Sequence, residues 1–63
     1  GDEHPQVATA YNNLGLVLQD QGDLAEARAA YERALRIFEK FLPPDHPHIE
    51  TVRGNLESLR SQE

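Results

Sequence analysis

Apolar residues recur along the chain at spacings of three and four, the period of a helix with one buried face. Between Pro5 and Gln21 the stripe is Val7, Tyr11, Leu14 and Leu18, which predicts a first helix over about 5–21. Pro5 suits its first turn, where a missing N–H costs nothing. Gly22 can take the left-handed conformation that ends a helix, and Asp23 with Glu26 three positions on reads as a capping box opening the next. The second helix, over about 24–41, carries Leu24, Ala27, Tyr31, Ala34, Phe38 and Phe41, with Ala30, Leu35, Ile37 and Leu42 widening the stripe. So wide a stripe predicts contact with more than one neighbour. Pro43-Pro44 stops it, because the first ring bars a helical conformation at Leu42 and neither ring has a donor. Asp45 or His46 then caps a third helix over about 47–60, with Pro47 in its first turn and Ile49, Val52, Leu56 and Leu59 as its stripe. The short link after the first helix makes the first two antiparallel. The fold class that follows is all-α: an antiparallel helical hairpin plus a third, capping helix, one unit over residues 1–63.

The third helix repeats the first. His4-Pro5 returns as His46-Pro47, 42 residues on, and Thr9, Asn13 and Leu14 return as Thr51, Asn55 and Leu56. Val7/Ile49 and Val17/Leu59 keep their apolar character. About one and a half copies of a unit are present. A period in this range marks stacked helical units, none able to bury its apolar face alone, and directs attention to a surface rather than a pocket.

The run Tyr11-x2-Leu14-Gly15-x2-Leu18, then Gly22, Ala27-x3-Tyr31 and Ala34-Leu35, resembles the tetratricopeptide repeat signature. Gly15, Ala27 and Ala34 are small where two crossing helices approach closely, and Tyr11 and Tyr31 supply bulk. Two departures stand out: Leu18 replaces an expected Tyr, and Glu39 replaces the helix-ending Pro, so the second helix is longer. With Asn12-Asn13-Leu14 and the Pro/Asp/His-Pro link, the chain resembles the 42-residue, kinesin-light-chain type of the repeat. The resemblance implies a superhelix of helix pairs whose first helices line a concave, peptide-binding groove.

At 100° per residue, the side of the first helix opposite Leu14 presents Thr9, Asn12, Leu16, Gln19 and Asp20, with Asn13 on the flank. The matching face of the third helix holds Thr51, Gly54, Ser58, Ser61 and Gln62, flanked by Asn55. Uncharged amides and hydroxyls can pair with the backbone of an extended peptide, and Leu16 adds an apolar contact; the same composition also suits an ordinary wet helix surface. The partner-binding candidates are therefore Thr9, Asn12, Asn13, Leu16, Gln19, Asp20, Thr51, Asn55 and Ser58. Asn13 and Asn55 recur although Asn is a poor helix former, so they either orient neighbouring helices or, as the resemblance implies, touch ligand backbone. Asn12 and Leu16 stand where members that grip a terminal carboxylate have a Lys and an Asn, so capture of an acidic peptide end is not expected.

Between the two copies Tyr11 becomes Arg53, Gly15 becomes Glu57 and Leu18 becomes Arg60. Charge at those positions reads as a solvated cap, or as the start of a divergent further repeat. Arg28, Glu32, Arg33, Arg36, Glu39 and Lys40 read as the wet face of the second helix. The chain is 63 residues long without cysteine, so it has one small core and no disulfide or thiolate metal site. Eleven acidic against six basic residues give a net charge of −5, which disfavours nucleic acid and anionic membrane as partners. No run is long enough to span a bilayer, and the amino end is acidic where a secretory signal is basic; a cytoplasmic or other reducing location fits.

Chemistry finds little footing. Ser58, Ser61, Thr9 and Thr51 are the available hydroxyls, and no histidine shares a helix face with any of them as an activating base. His46-Pro47-His48 with Asp45 offers at most a weak metal contact, and a turn and capping role explains it better, since His4-Pro5 recurs without a second His. No enzyme activity, cofactor or metal is expected. The expected partner is a protein or peptide, for which the chain acts as a scaffold. The alternative is a structural unit that self-associates, because the upstream side of the first helix pair lacks a neighbour.

Overall fold

The computed structural model describes residues 4–63; the acidic Asp2-Glu3 at the amino end lies outside the described residues. Three helices form, α1 (Pro5–Asp20), α2 (Leu24–Phe41) and α3 (Pro47–Gln62), with no strand among the described residues. Pro5 and Pro47 each sit in a first turn. Gly22 takes a φ of +86°, and around it the N–H of Asp23 donates to the carbonyl of Leu18 while that of Gly22 donates to Gln19. This pair of bonds closes the carbonyl end of α1 and turns the chain back on itself. Asp23 occupies the cap position of α2, but its side chain makes no capping bond, contrary to the expected capping box. With ψ at 70° instead of an extended value, its carboxylate is not presented to the first turn. His46 caps α3: its Nδ1 accepts from the N–H of His48 at 3.0 Å.

The core is a short list of fully enclosed side chains. Ala27, Tyr31, Ala34, Ile37 and Phe38 of α2 meet Ala8 of α1 and Ile49, Val52 and Leu59 of α3. Every helix therefore contributes, and α2 lies between the other two, as its wide stripe requires; α3 packs chiefly on α2 and touches α1 lightly.

The rotational setting of α1 differs from the expected one. Leu14, placed on the buried stripe, is 46% exposed, while Ala8 and Gly15 are the buried positions of this helix. Val7, Tyr11 and Leu18 are half-buried at the edge of the core. The cause is the close crossing of α1 and α2 at Gly15, where a Cβ would lie 2.5–3.0 Å from ring atoms of Tyr31. Helices that meet this closely turn their smallest residues inward, and the larger Leu14 rotates to the rim. Phe41, expected on the stripe of α2, is 50% exposed, because the chain leaves the helix there for the Pro43-Pro44 turn.

The charged positions divide. Arg28 is not on a purely wet face: it reaches the far end of α3 and pairs with Glu63. Glu39 of α2 meets Arg53 of α3 at 3.5 Å, an exposed pair worth at most about 1 kcal/mol. Arg53, Glu57 and Arg60 all lie on the outward side of α3 and are exposed, so this side presents charge to water.

Candidate partner-binding groove

α3 settles against the side of α1 opposite Leu14, and the cleft between the two helices is lined by Leu16, Gln19, Asp20, Asn55, Ser58 and Gln62. Its floor is a chain of hydrogen bonds that ties all three helices together. Tyr31 Oη of α2 donates to Gln19 Oε1 of α1 at 2.7 Å, and Gln19 Nε2 in turn donates to Gln62 Oε1 of α3 at 2.6 Å and lies 3.5 Å from Ser58 Oγ. One turn up, Asn55 Nδ2 donates to Asn12 Oδ1 at 2.9 Å. Side-chain amides bridge well here because each carries both donors and acceptors, so one group can satisfy a neighbour and keep further capacity facing the cleft.

The sequence candidates thus separate into three sets. Gln19, Asn12, Asn55 and Ser58 are drawn into the α1–α3 contact, and Leu16 and Asp20 flank it; Leu16 is 45% exposed. Thr9 and Thr51 point their hydroxyls back to their own helices, donating to the carbonyls of Pro5 at 3.3 Å and Pro47 at 3.0 Å. The two bonds are the same contact one period apart. Asn13 is exposed and lies off the cleft, since the next residue round, Asn12, faces α3 in its place. The groove has acidic Asp20 and otherwise neutral groups along its lining, with no basic side chain among the described residues.

A family model described as "Tetratricopeptide repeat" matches residues 7–48, two thirds of the chain. The chain belongs to the tetratricopeptide repeat family. It is a protein-interaction repeat module. No curated protein matches it. The matched segment runs from Val7 in α1 through α2 to His48 at the start of α3, one full 42-residue period.

One feature of this tetratricopeptide unit escapes any face-by-face reading of the sequence. Tyr31, a core ring by its spacing, also supplies the hydroxyl that positions Gln19 from beneath. Only a two-helix construction, placing position 31 against 15 and 19 at once, could have shown it. Burial pushes the Tyr31 phenol above its ordinary value, because the phenolate loses solvation in the core. A phenolate also cannot donate to Gln19. The folded pKa being the higher one, the stabilisation from the neutral phenol is fully present below about pH 10 and is lost as pH rises through the raised folded value. Tyr31→Phe is accordingly expected to cost about 1 kcal/mol at pH 7, by leaving Gln19 Oε1 without its donor. Urea melts of both forms up to about pH 11 should show the wild-type advantage shrinking, and a constant difference would contradict this role.

The His46 and His48 rings lie against one another, 4.7 Å between centroids, and His48 also packs on Phe38 at 5.4 Å. With Nδ1 of His46 engaged in capping, the pair serves the start of α3. Among the described residues no three His, Cys, Asp or Glu side chains gather as a metal site, and no helix is long and apolar enough to cross a membrane.

Proposed function

We propose that this tetratricopeptide unit binds an extended segment of a partner protein along the α1–α3 cleft and has no chemistry of its own. The observation that carries the reading is the polar floor. Gln19, Gln62, Asn12 and Asn55 are fixed by one another before any ligand arrives, so their remaining donors and acceptors are held in place at little further entropic cost. Leu16 stands beside them as an exposed apolar contact, which favours a ligand with an apolar side chain at one position. Asp20 and the absence of lining cations favour a neutral or basic segment over an acidic one.

The experiment is a peptide array probed in parallel with the unsubstituted chain, Leu16→Glu and Asn12→Ala. A ligand of the cleft should be lost with Leu16→Glu, which removes the apolar contact and sets a charged group against the ligand's apolar side chain. Asn12→Ala should weaken binding about tenfold, since it also releases Asn55 from its orientation. Peptides retained equally by all three proteins would place binding elsewhere and overturn the reading.

A further inference from the structure

The 42-residue equivalence assigns two distinct faces to each helix of the first type. α3 uses Ile49, Val52, Leu56 and Leu59 to pack on α2. The equivalent α1 positions are Val7, Ala10, Leu14 and Val17; Val7 touches the edge of the core, but Ala10, Leu14 and Val17 are exposed, Leu14 at 46% and Val17 at 53%. Conversely, α1 packs on α2 through Ala8, Tyr11, Gly15 and Leu18, whose α3 equivalents Glu50, Arg53, Glu57 and Arg60 are exposed and charged. The molecule therefore has one apolar end face and one charged end face. The apolar one is a groove between α1 and α2 running past Leu14, Leu18 and Ala29, on the side of α2 turned away from α3.

An association that repeated head to tail would press this apolar face onto the charged side of α3. Only a face-to-face pairing buries apolar surface on apolar surface, and it leaves both charged faces in water, which closes the assembly at two copies. The charges along the groove fit that geometry. On this face of α2 the acidic Glu26 precedes the basic Arg33 and Arg36, with Asp23 at the cap position just before the helix, an order that is its own complement when two copies run antiparallel. With the two-fold axis between Ala29 and Ala30, Glu26 of one copy stands opposite Arg33 of the other, and Asp23 opposite Arg36. Ala29 and Ala30 let the helices approach closely at the axis, with Leu14 and Val17 of the two α1 helices meeting beside them. Arg33 lies over the Tyr11 ring, 5.8 Å from its centre, so its guanidinium is already held at the groove.

We infer that this chain forms a two-fold dimer through the α1–α2 face remote from α3, with α2 antiparallel to its copy about Ala29–Ala30. The α1–α3 cleft is on the other side of α1 and stays open in the dimer, so the inference stands independently of peptide binding.

Sedimentation over about 10 µM to 1 mM should show the mass rise from 7.1 kDa to twice that value. Glu26→Arg and Arg33→Glu should each weaken the dimer by about tenfold or more, and the double exchange Glu26→Arg/Arg33→Glu should restore it, since the swapped pattern is again its own complement. As the chain has no cysteine, Ala29→Cys adds a single thiol at the axis and should oxidise to a covalent dimer, whereas Gly54→Cys on α3 should not. Far-UV circular dichroism confirms that each variant remains helical. A chain still monomeric at about 1 mM overturns the inference and leaves the groove to a helix of another protein or of a longer form of this one. A dimer indifferent to the charge exchange, or equally crosslinked through Gly54→Cys, also overturns it.

Discussion

Gly15→Ala is expected to destabilise the protein by about 2 kcal/mol, while the same change at Gly54 stabilises it by about 1 kcal/mol. In a helix interior, replacing Gly by Ala normally gains about 1 kcal/mol through reduced backbone entropy in the unfolded chain. Gly54 is free to show that gain, because a Cβ there meets nothing within 4 Å. At Gly15 the added carbon would sit 2.5 Å from Cε1 and 2.6 Å from Cδ1 of Tyr31. The ring has no room to yield: it is fully buried, and its hydroxyl is fixed to Gln19 at 2.7 Å. The helices must separate instead, which sets an overpacking cost of up to about 3 kcal/mol against the propensity gain. Total stability for a domain of this size is roughly 3–9 kcal/mol, so the loss is a large share. Urea titrations followed by circular dichroism should move the midpoint down for Gly15→Ala and up for Gly54→Ala. Combining Gly15→Ala with Tyr31→Leu should cost less than the two single changes added, since the clash disappears. Strict additivity would mean that the helices do not cross at Gly15.

That crossing also explains which parts of the fold were legible in the sequence. Elements were marked by residues that act locally: Pro5 and Pro47 at helix starts, Gly22 at a left-handed turn, Pro43-Pro44 at a stop. The setting of α1 about its own axis was not, because Ala8 and Gly15 carry almost no hydrophobic signal and become buried only through the approach of α2. Counting large apolar residues favours Leu14, and Leu14 is in fact on the second apolar face of the same helix. The signal separating the two faces lay in comparing the copies: Leu14 keeps its apolar partner in Leu56, whereas Gly15 becomes Glu57. For the groove, the 100° reading gathered Asn12, Leu16 and Gln19 correctly onto one side of α1. It could not show that Asn55 pairs with Asn12 and not with its own repeat equivalent Asn13, since that depends on how far α3 is shifted along α1. Asp23 illustrates the opposite failure, a local motif whose residues are present while the backbone takes another angle.

Ile49→Ala is expected to cost about 2–5 kcal/mol and to act mainly on α3. Ile49 is fully buried at the first turn of α3, just after His46 has capped the helix, and together with Val52 and Leu59 it forms the whole of the fully buried surface that α3 presents. Truncation leaves a cavity next to the turn, at the surface by which α3 packs on α2. α1 and α2 keep Ala8, Gly15, Ala27, Tyr31 and Ala34 between them, so their contact is only indirectly weakened. Opening should therefore be uneven. Amide hydrogen exchange is expected to accelerate first over residues 48–62, by a factor of about thirty or more at the lower end of that cost, with α2 retaining more protection. Gln19 would then lose Gln62, and Asn12 would lose Asn55, dismantling the polar floor while the hairpin persists. Binding of any cleft ligand should fall with α3 docking, and a saturating ligand should slow α3 exchange again, because it binds only the docked form. Equal acceleration across all three helices would instead show that this short chain opens as a single cooperative unit.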